Sequence, residues 1–237
     1  MKALITVINQ EEARCVVKEG CDILDIKNPV EGSLGANYPW VIKEIVEIVP
    51  QEIEISIAIG DVPNLPGTVS MAVLGALQFK PDYIKVGLKG TKTKSEAVEL
   101  MKKVVRTNRL SGVGAKIVAA CYADYHKSGS VNLSYLPEIV SESGANIAMI
   151  DTLTKRDKNL LDFISKDELK KVVKICHEKG LKIALAGSLN EEHLEMIYHM
   201  GVDIFGVRGA VCSGGDRKSE MKVELVRELY SNIRQLD

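Results

Sequence analysis

Short apolar runs punctuate the chain, each followed by a stretch whose apolar residues return every three or four positions. The runs are ALITV (3–7), CDILDIK (21–27), IEISIAIG (53–60), YIKVGL (83–88), KIVAACYAD (116–124), NIAMID (146–151), LKIALAGS (181–188) and VDIFGVRG (202–209). In most of them both alternating sets of positions are apolar. That pattern belongs to parallel strands covered on both faces, not to half-exposed hairpins.

The intervening stretches carry helix signals. Asn9 precedes QEE, and that helix is expected to close at Gly20. Ser165 and Glu168 form an S-x-x-E capping box, followed by an apolar stripe of Leu169, Val172, Val173 and Cys176 that ends before Gly180. Asn190 opens EEHLEMIYHM, which stops at Gly201, and a last amphipathic helix is expected over 219–233.

Eight strand-helix units in 237 residues average about 30 residues each, the size of a compact βα repeat. No linker or composition break interrupts them. The expected fold is α/β, a single (β/α)8 TIM barrel over residues 1–237. The rival, an open doubly wound sheet, calls for a Gly-rich turn after the first strand, and TVINQEEA has none. GVGAK (112–116) resembles part of a P-loop but precedes a strand instead of following one, so it reads as a loop.

A barrel concentrates function at the C-terminal ends of its strands. The second run ends with Asp25 and Lys27, the fourth carries Lys85, and the sixth ends with Asp151. Alternation puts Asp25 and Lys27 on the face of Ile23, Lys85 on that of Tyr83, and Asp151 on that of Met149. All three are even-numbered runs, and barrel layers draw on alternate strands, so these charges can converge. A buried unpaired charge costs several kcal/mol or shifts its pKa. A second ammonium nearby and loss of water both lower a lysine pKa from about 10.4. Lys27 therefore reads as an imine-forming nucleophile, with Lys85 as cationic neighbour and acid-base partner. The alternative is an ion-pair network that only fixes the barrel. Lys155, four residues beyond Asp151, reaches over the mouth or is a solvated loop lysine. Lys116 stands at the entry of the fifth run, which argues for the barrel floor unless its amine reaches upward.

The seventh run leads into Gly187 and Ser188, and the eighth into GVRGAVCSGGDR. Loops after strands 7 and 8 form the recurrent phosphate site of such barrels. Gly187 and Ser188 would make one wall and Gly209 and Ala210 the other, with Arg208 as the charge. The residues thus suggest Schiff-base chemistry on a small phosphorylated carbonyl compound.

Composition narrows the partners. The formal net charge is −1, with 31 basic and 32 acidic residues, so no global field favours nucleic acid or an anionic membrane. The local cluster Lys89, Lys92 and Lys94 reads as a solvated helix start. No apolar run approaches the ~20 residues of a spanning helix, and the N-terminal stretch is too short for a signal sequence. A cytoplasmic protein is expected. Five dispersed cysteines without CxxC spacing and four histidines suggest neither disulfides nor zinc. His193 and His199, six apart, lie on different faces of their helix.

Taken together, DIKNPVEGSLGAN, GDVPNLPGT, DYIKVGL, YADY, ALAGS and GVRGAVCSGGDR resemble the (5-formylfuran-3-yl)methyl phosphate synthase family of methanofuran biosynthesis. The resemblance covers nearly the whole chain. It implies condensation of two glyceraldehyde 3-phosphate molecules with loss of one phosphate and two waters. It also implies that Lys27 is the Schiff-base lysine and Lys85 the second catalytic lysine, a proton acceptor. Asp25 and Asp151 fit as proton-handling partners. No metal or organic cofactor is expected, because the imine serves as electron sink. Two phosphorylated substrates require two anion sites, and the EGSLGAN loop with Lys155 is the candidate for the second. The expected partner is a triose phosphate; a homo-oligomer stays open. Two other readings remain: a class I aldolase or isomerase acting on another sugar phosphate, and a silent barrel that binds a phosphometabolite.

Overall fold

The computed structural model describes residues 1–154 and 158–236. Eight parallel strands close a barrel in chain order: β1 (Lys2–Val7), β2 (Ile23–Ile26), β3 (Glu54–Ala58), β4 (Tyr83–Gly87), β5 (Lys116–Tyr122), β6 (Ile147–Asp151), β7 (Lys182–Leu185) and β8 (Ile204–Val207). β8 pairs back onto β1, with Ile5 opposite Val207, so no strand edge is left open. The helices are α1 (Gln10–Glu19), α2 (Pro39–Val46), α3 (Pro66–Leu77), α4 (Lys94–Ser111), the single turn α5 (Tyr125–Ser128), α6 (Leu136–Ser143), α7 (Lys166–Glu178), α8 (Leu194–His199) and α9 (Val223–Leu236). The expected (β/α)8 fold is the one observed.

Strand alternation divides the core in two. Ile5, Val7, Leu24, Ile26, Ile84 and Val86 face the helices. Leu4, Ile23, Tyr83, Val118, Ile147, Met149 and Ile204 fill the barrel. Full burial of such a side chain contributes about 1.5–3 kcal/mol, which offsets the cost of placing polar groups above this floor. The polar inward positions follow the same parity: Thr6 on β1, Asp25 on β2, Ser56 on β3 and Lys85 on β4. Register puts Thr6 beside Asp25 and Asp25 beside Ser56.

The capping signals form bonds. The Asn9 side chain accepts from Glu12 N at 2.9 Å, and Ser165 and Glu168 make a reciprocal capping box. Two expectations shift. The helix opened by Asn190 begins with a tighter 3₁₀ turn at Glu191–His193, where His193 Nδ1 accepts from Asn190 N. The last helix begins at Val223 rather than near residue 219, because Met221 bridges to Cys212 and Lys222 N donates to Val211 O. No helix among the described residues is long and apolar enough to cross a membrane.

Candidate active site

β2 is apolar on its outer face and ends by turning a carboxylate and an ammonium inward. Asp25 is fully buried, and its Oδ2 accepts from Lys85 Nζ at 2.6 Å and from Thr6 Oγ1 at 2.9 Å. Asp25 Oδ1 accepts no hydrogen bond among the described residues. Burial pushes the Asp25 carboxyl up. The ammonium of Lys85, then that of Lys27, and the bonds from Lys85 and Thr6 outweigh burial and hold it below its ordinary value. Lys27 is buried one residue past the end of β2, and its N–H still donates to Val7 O at 3.3 Å. β2 and β4 thus bring two lysines and one carboxylate together, and β1 adds the Thr6 hydroxyl.

Asp151, at the end of β6, closes the other side. Its Oδ1 accepts from Thr152 N at 2.7 Å. Ser33 Oγ lies 3.2 Å from Asp151 Oδ2 and 2.8 Å from Thr152 O, so its single proton serves one of them. Ser33 belongs to the loop after Lys27, which is folded back by Asn28 N donating to Gly35 O at 2.9 Å. Asp124 holds the segment after β6 through both oxygens, accepting from Leu153 N and Thr154 N at 2.8 Å each. Lys155 lies outside the described residues.

Thr6, Asp25, Lys27, Lys85 and Asp151 line a cavity of about 460 Å³ at the C-terminal mouth, which also takes in Gly187, Ser188, Gly209 and Ala210. That volume suits a small-molecule site. Gly187 has φ +107°, and a side chain there would press on Thr152. A Cβ on Gly209 would stand 2.6 Å from Gly215 O, so the strand 8 loop can cross itself only at glycine. The N–H groups of Ser188, Gly209 and Ala210 donate to no acceptor among the described residues, which leaves backbone donors unspent beside this cavity.

Two sequence-derived candidates are placed differently. Arg208 touches the cavity, but its guanidinium makes four bonds within the protein. It donates to Glu12 Oε2 at 2.7 Å, Glu12 Oε1 at 3.1 Å, Thr6 O at 3.1 Å and Arg217 O at 2.6 Å. Glu12 neutralises it, so Arg208 acts as a brace whose charge is already spent within the protein. Lys116 is not brought to the site. It lies at the N-terminal end, half exposed, bonded to Glu54 at 3.1 Å and placed over the Tyr83 ring.

Residues without a role in the sequence reading also converge. Thr6 binds Asp25, and its inward parity beside Leu4 was the available signal. The buried Tyr122 hydroxyl donates to Asp61, whose Oδ2 accepts from Leu34 N at 3.2 Å and so anchors the loop after β2. Burial, then the Asp61 charge and bond, raise the Tyr122 phenol well above its ordinary pKa. Arg217 lines the cavity and donates through Nη2 to Gly32 O at 2.9 Å. Burial lowers its guanidinium from the ordinary value, against the raising charges of Asp151, Asp61 and Asp216.

The structure is thus a closed (β/α)8 barrel whose C-terminal cavity holds a buried lysine pair and a carboxylate. Residues 3–230 match the family described as 4-HFC-P synthase, and the chain belongs to that family. It is 48% identical over 229 residues to the (5-formylfuran-3-yl)methyl phosphate synthase of Methanopyrus kandleri, covering 96% of this chain and 97% of that one. The protein of the same name from Methanocaldococcus jannaschii is 48% identical over 230 residues, covering 97% and 98%. Among solved structures, a 3-hexulose-6-phosphate synthase superposes with a TM-score of 0.69 at 14% identity, over 98% of this chain and 100% of that one. A phosphoribosyl anthranilate isomerase from Thermus thermophilus gives 0.67 at 15%, over the full length of both. At such identity these two establish the fold alone.

Proposed function

We propose that this chain is a cytoplasmic (5-formylfuran-3-yl)methyl phosphate synthase of methanofuran biosynthesis, a lyase that condenses two molecules of glyceraldehyde 3-phosphate through an imine on Lys27. The observation that carries the reading is the placement of Lys27 and Lys85 around one buried carboxylate, Asp25, in the cavity that also exposes the backbone donors of Ser188, Gly209 and Ala210.

The Lys27 amine adds to the aldehyde of one triose and water leaves, giving an imine whose α-proton is acidic. Lys85 takes that proton. It is hydrogen-bonded to Asp25 at rest, so it must first yield one, and the pair works as a single proton-handling unit. Phosphate then leaves from the β-carbon. The resulting carbon nucleophile adds to the aldehyde of the second triose, with Asp151 handling the proton of the new hydroxyl. Cyclisation, dehydration and hydrolysis of the imine free Lys27 and release the furan aldehyde. Two C3 units supply the six carbons; one phosphate and, in net, two waters are lost. Aromaticity of the product drives the sequence forward.

Incubation with glyceraldehyde 3-phosphate alone tests this. A new near-ultraviolet chromophore with stoichiometric phosphate release is expected, and borohydride should trap an adduct on Lys27. An adduct without the chromophore would assign the site to another aldolase or isomerase. An unmodified Lys27 would sink the mechanism.

A further inference from the structure

The cavity holds a cation that neither the sequence pattern nor the lysine chemistry uses. Arg217 is half-buried at the lip, in the loop that crosses itself at Gly209 and Gly215. Its backbone is held by Arg208, which donates to Arg217 O at 2.6 Å and is itself clasped by Glu12. Its side chain donates through Nη2 to Gly32 O at 2.9 Å and to Pro29 O at 3.4 Å. Among the described residues, Nε and Nη1 have no acceptor and no salt bridge pairs the guanidinium with a carboxylate. One edge of the fork is therefore fixed to the loop after Lys27, and the other donors are unspent.

We propose that Arg217, not Arg208, supplies the positive charge that binds a substrate phosphate in this cavity. The ligand is a phosphate monoester dianion, with about −1.5 to −2 charge and three acceptor oxygens. The Arg217 Nε and Nη1 can each donate a charge-assisted hydrogen bond to such an oxygen. Ser188, Gly209 and Ala210 line the same cavity and add backbone donors. Since Nη2 also holds the Gly32 carbonyl, next to the Ser33 that meets Asp151, one residue links the bound phosphate to the loop over the reacting carbons. The identity of the phosphate compound as a triose rests on the function proposed above; the anion site itself does not.

The test uses the full chain and two readouts. Calorimetric titration with inorganic phosphate should show binding that Arg217→Gln weakens about tenfold or more, a charge-assisted bond or two. Arg217→Lys should recover part of it, and Lys218→Gln, an exposed neighbour, should change nothing. Borohydride trapping then compares glyceraldehyde 3-phosphate with unphosphorylated glyceraldehyde. Wild-type protein should prefer the phosphorylated aldehyde, and Arg217→Gln should lose that preference while trapping glyceraldehyde as before. Phosphate affinity within twofold of wild type in Arg217→Gln would overturn the proposal, as would a wild type that takes up no phosphate. Equal loss of trapping for both aldehydes would make Arg217 a structural strut and also overturn it. Failure of wild type to trap either aldehyde would sink the imine mechanism, while the phosphate titration would still decide on Arg217.

Discussion

At the C-terminal mouth, Lys85 meets Asp25 at 2.6 Å with side chains 1% and 0% exposed; at the N-terminal end, Lys116 meets Glu54 at 3.1 Å with 50% and 24% exposed. Both are lysine-carboxylate pairs built on barrel strands, and both sit near further basic groups, Lys27 above and Lys2 below. Separation alone does not distinguish them. Water does. The lower pair is screened and interchangeable, with Lys2, Lys116 and Tyr83 all donating to Glu54. The upper pair has lost its hydration and has one remaining acceptor lobe, so any change in its protonation is strongly coupled to Lys27. On the function proposed above, reactivity would follow from that difference rather than from residue type.

The comparison can be broken most forcefully at Lys27. Lys27→Ala should reduce furan formation to background and abolish borohydride trapping; near-normal turnover would show that the nucleophile lies elsewhere. Lys85→Met should lower turnover by about 10²–10⁴-fold. It should also destabilise the fold by about 3–5 kcal/mol in urea unfolding, because the Asp25 charge is left buried and uncompensated. Combining it with Asp25→Leu should restore much of the stability and none of the activity. At the other end, Lys116→Met should cost less than about 1 kcal/mol and leave turnover unchanged. The smallest effect is in acid. The folded-state pKa of Asp25 is depressed, so its contribution is fully present above the unfolded value, about 3.9, and is lost as pH falls through the lower folded value. Relative to wild type, Asp25→Asn should remove that part of the fall in stability on going below about pH 4.

The sequence showed the fold through the double apolar parity of its strands, which few other architectures produce. It showed Asp25, Lys27, Lys85 and Asp151 because a charge inside an apolar run stands out, and parity says which way it faces. Arg217 was hidden for the opposite reason. GGDR is irregular chain, and the place of Arg217 depends on a glycine crossing and on Arg208 clasping Glu12, two long-range events without local periodicity. Arg208 misled because an arginine after a strand looks like an available charge until its carboxylate partner on α1 is known. Lys116 was ambiguous because its meaning turns on where β5 starts, and the strand starts at that residue.

The closure of β8 onto β1 has a consequence in the order of synthesis. Lys27 and Lys85 lie in the first half of the chain, while the strand that closes the barrel and the loop that carries Gly209 and Arg217 lie in its last quarter. A growing chain therefore exposes both amines long before it can enclose them. The pairing of Ile5 with Val207, and of Glu12 with Arg208, is the event that encloses the two lysines in one cavity. Until about residue 217 has been made, the first half of the protein has the amines but not the walls around them.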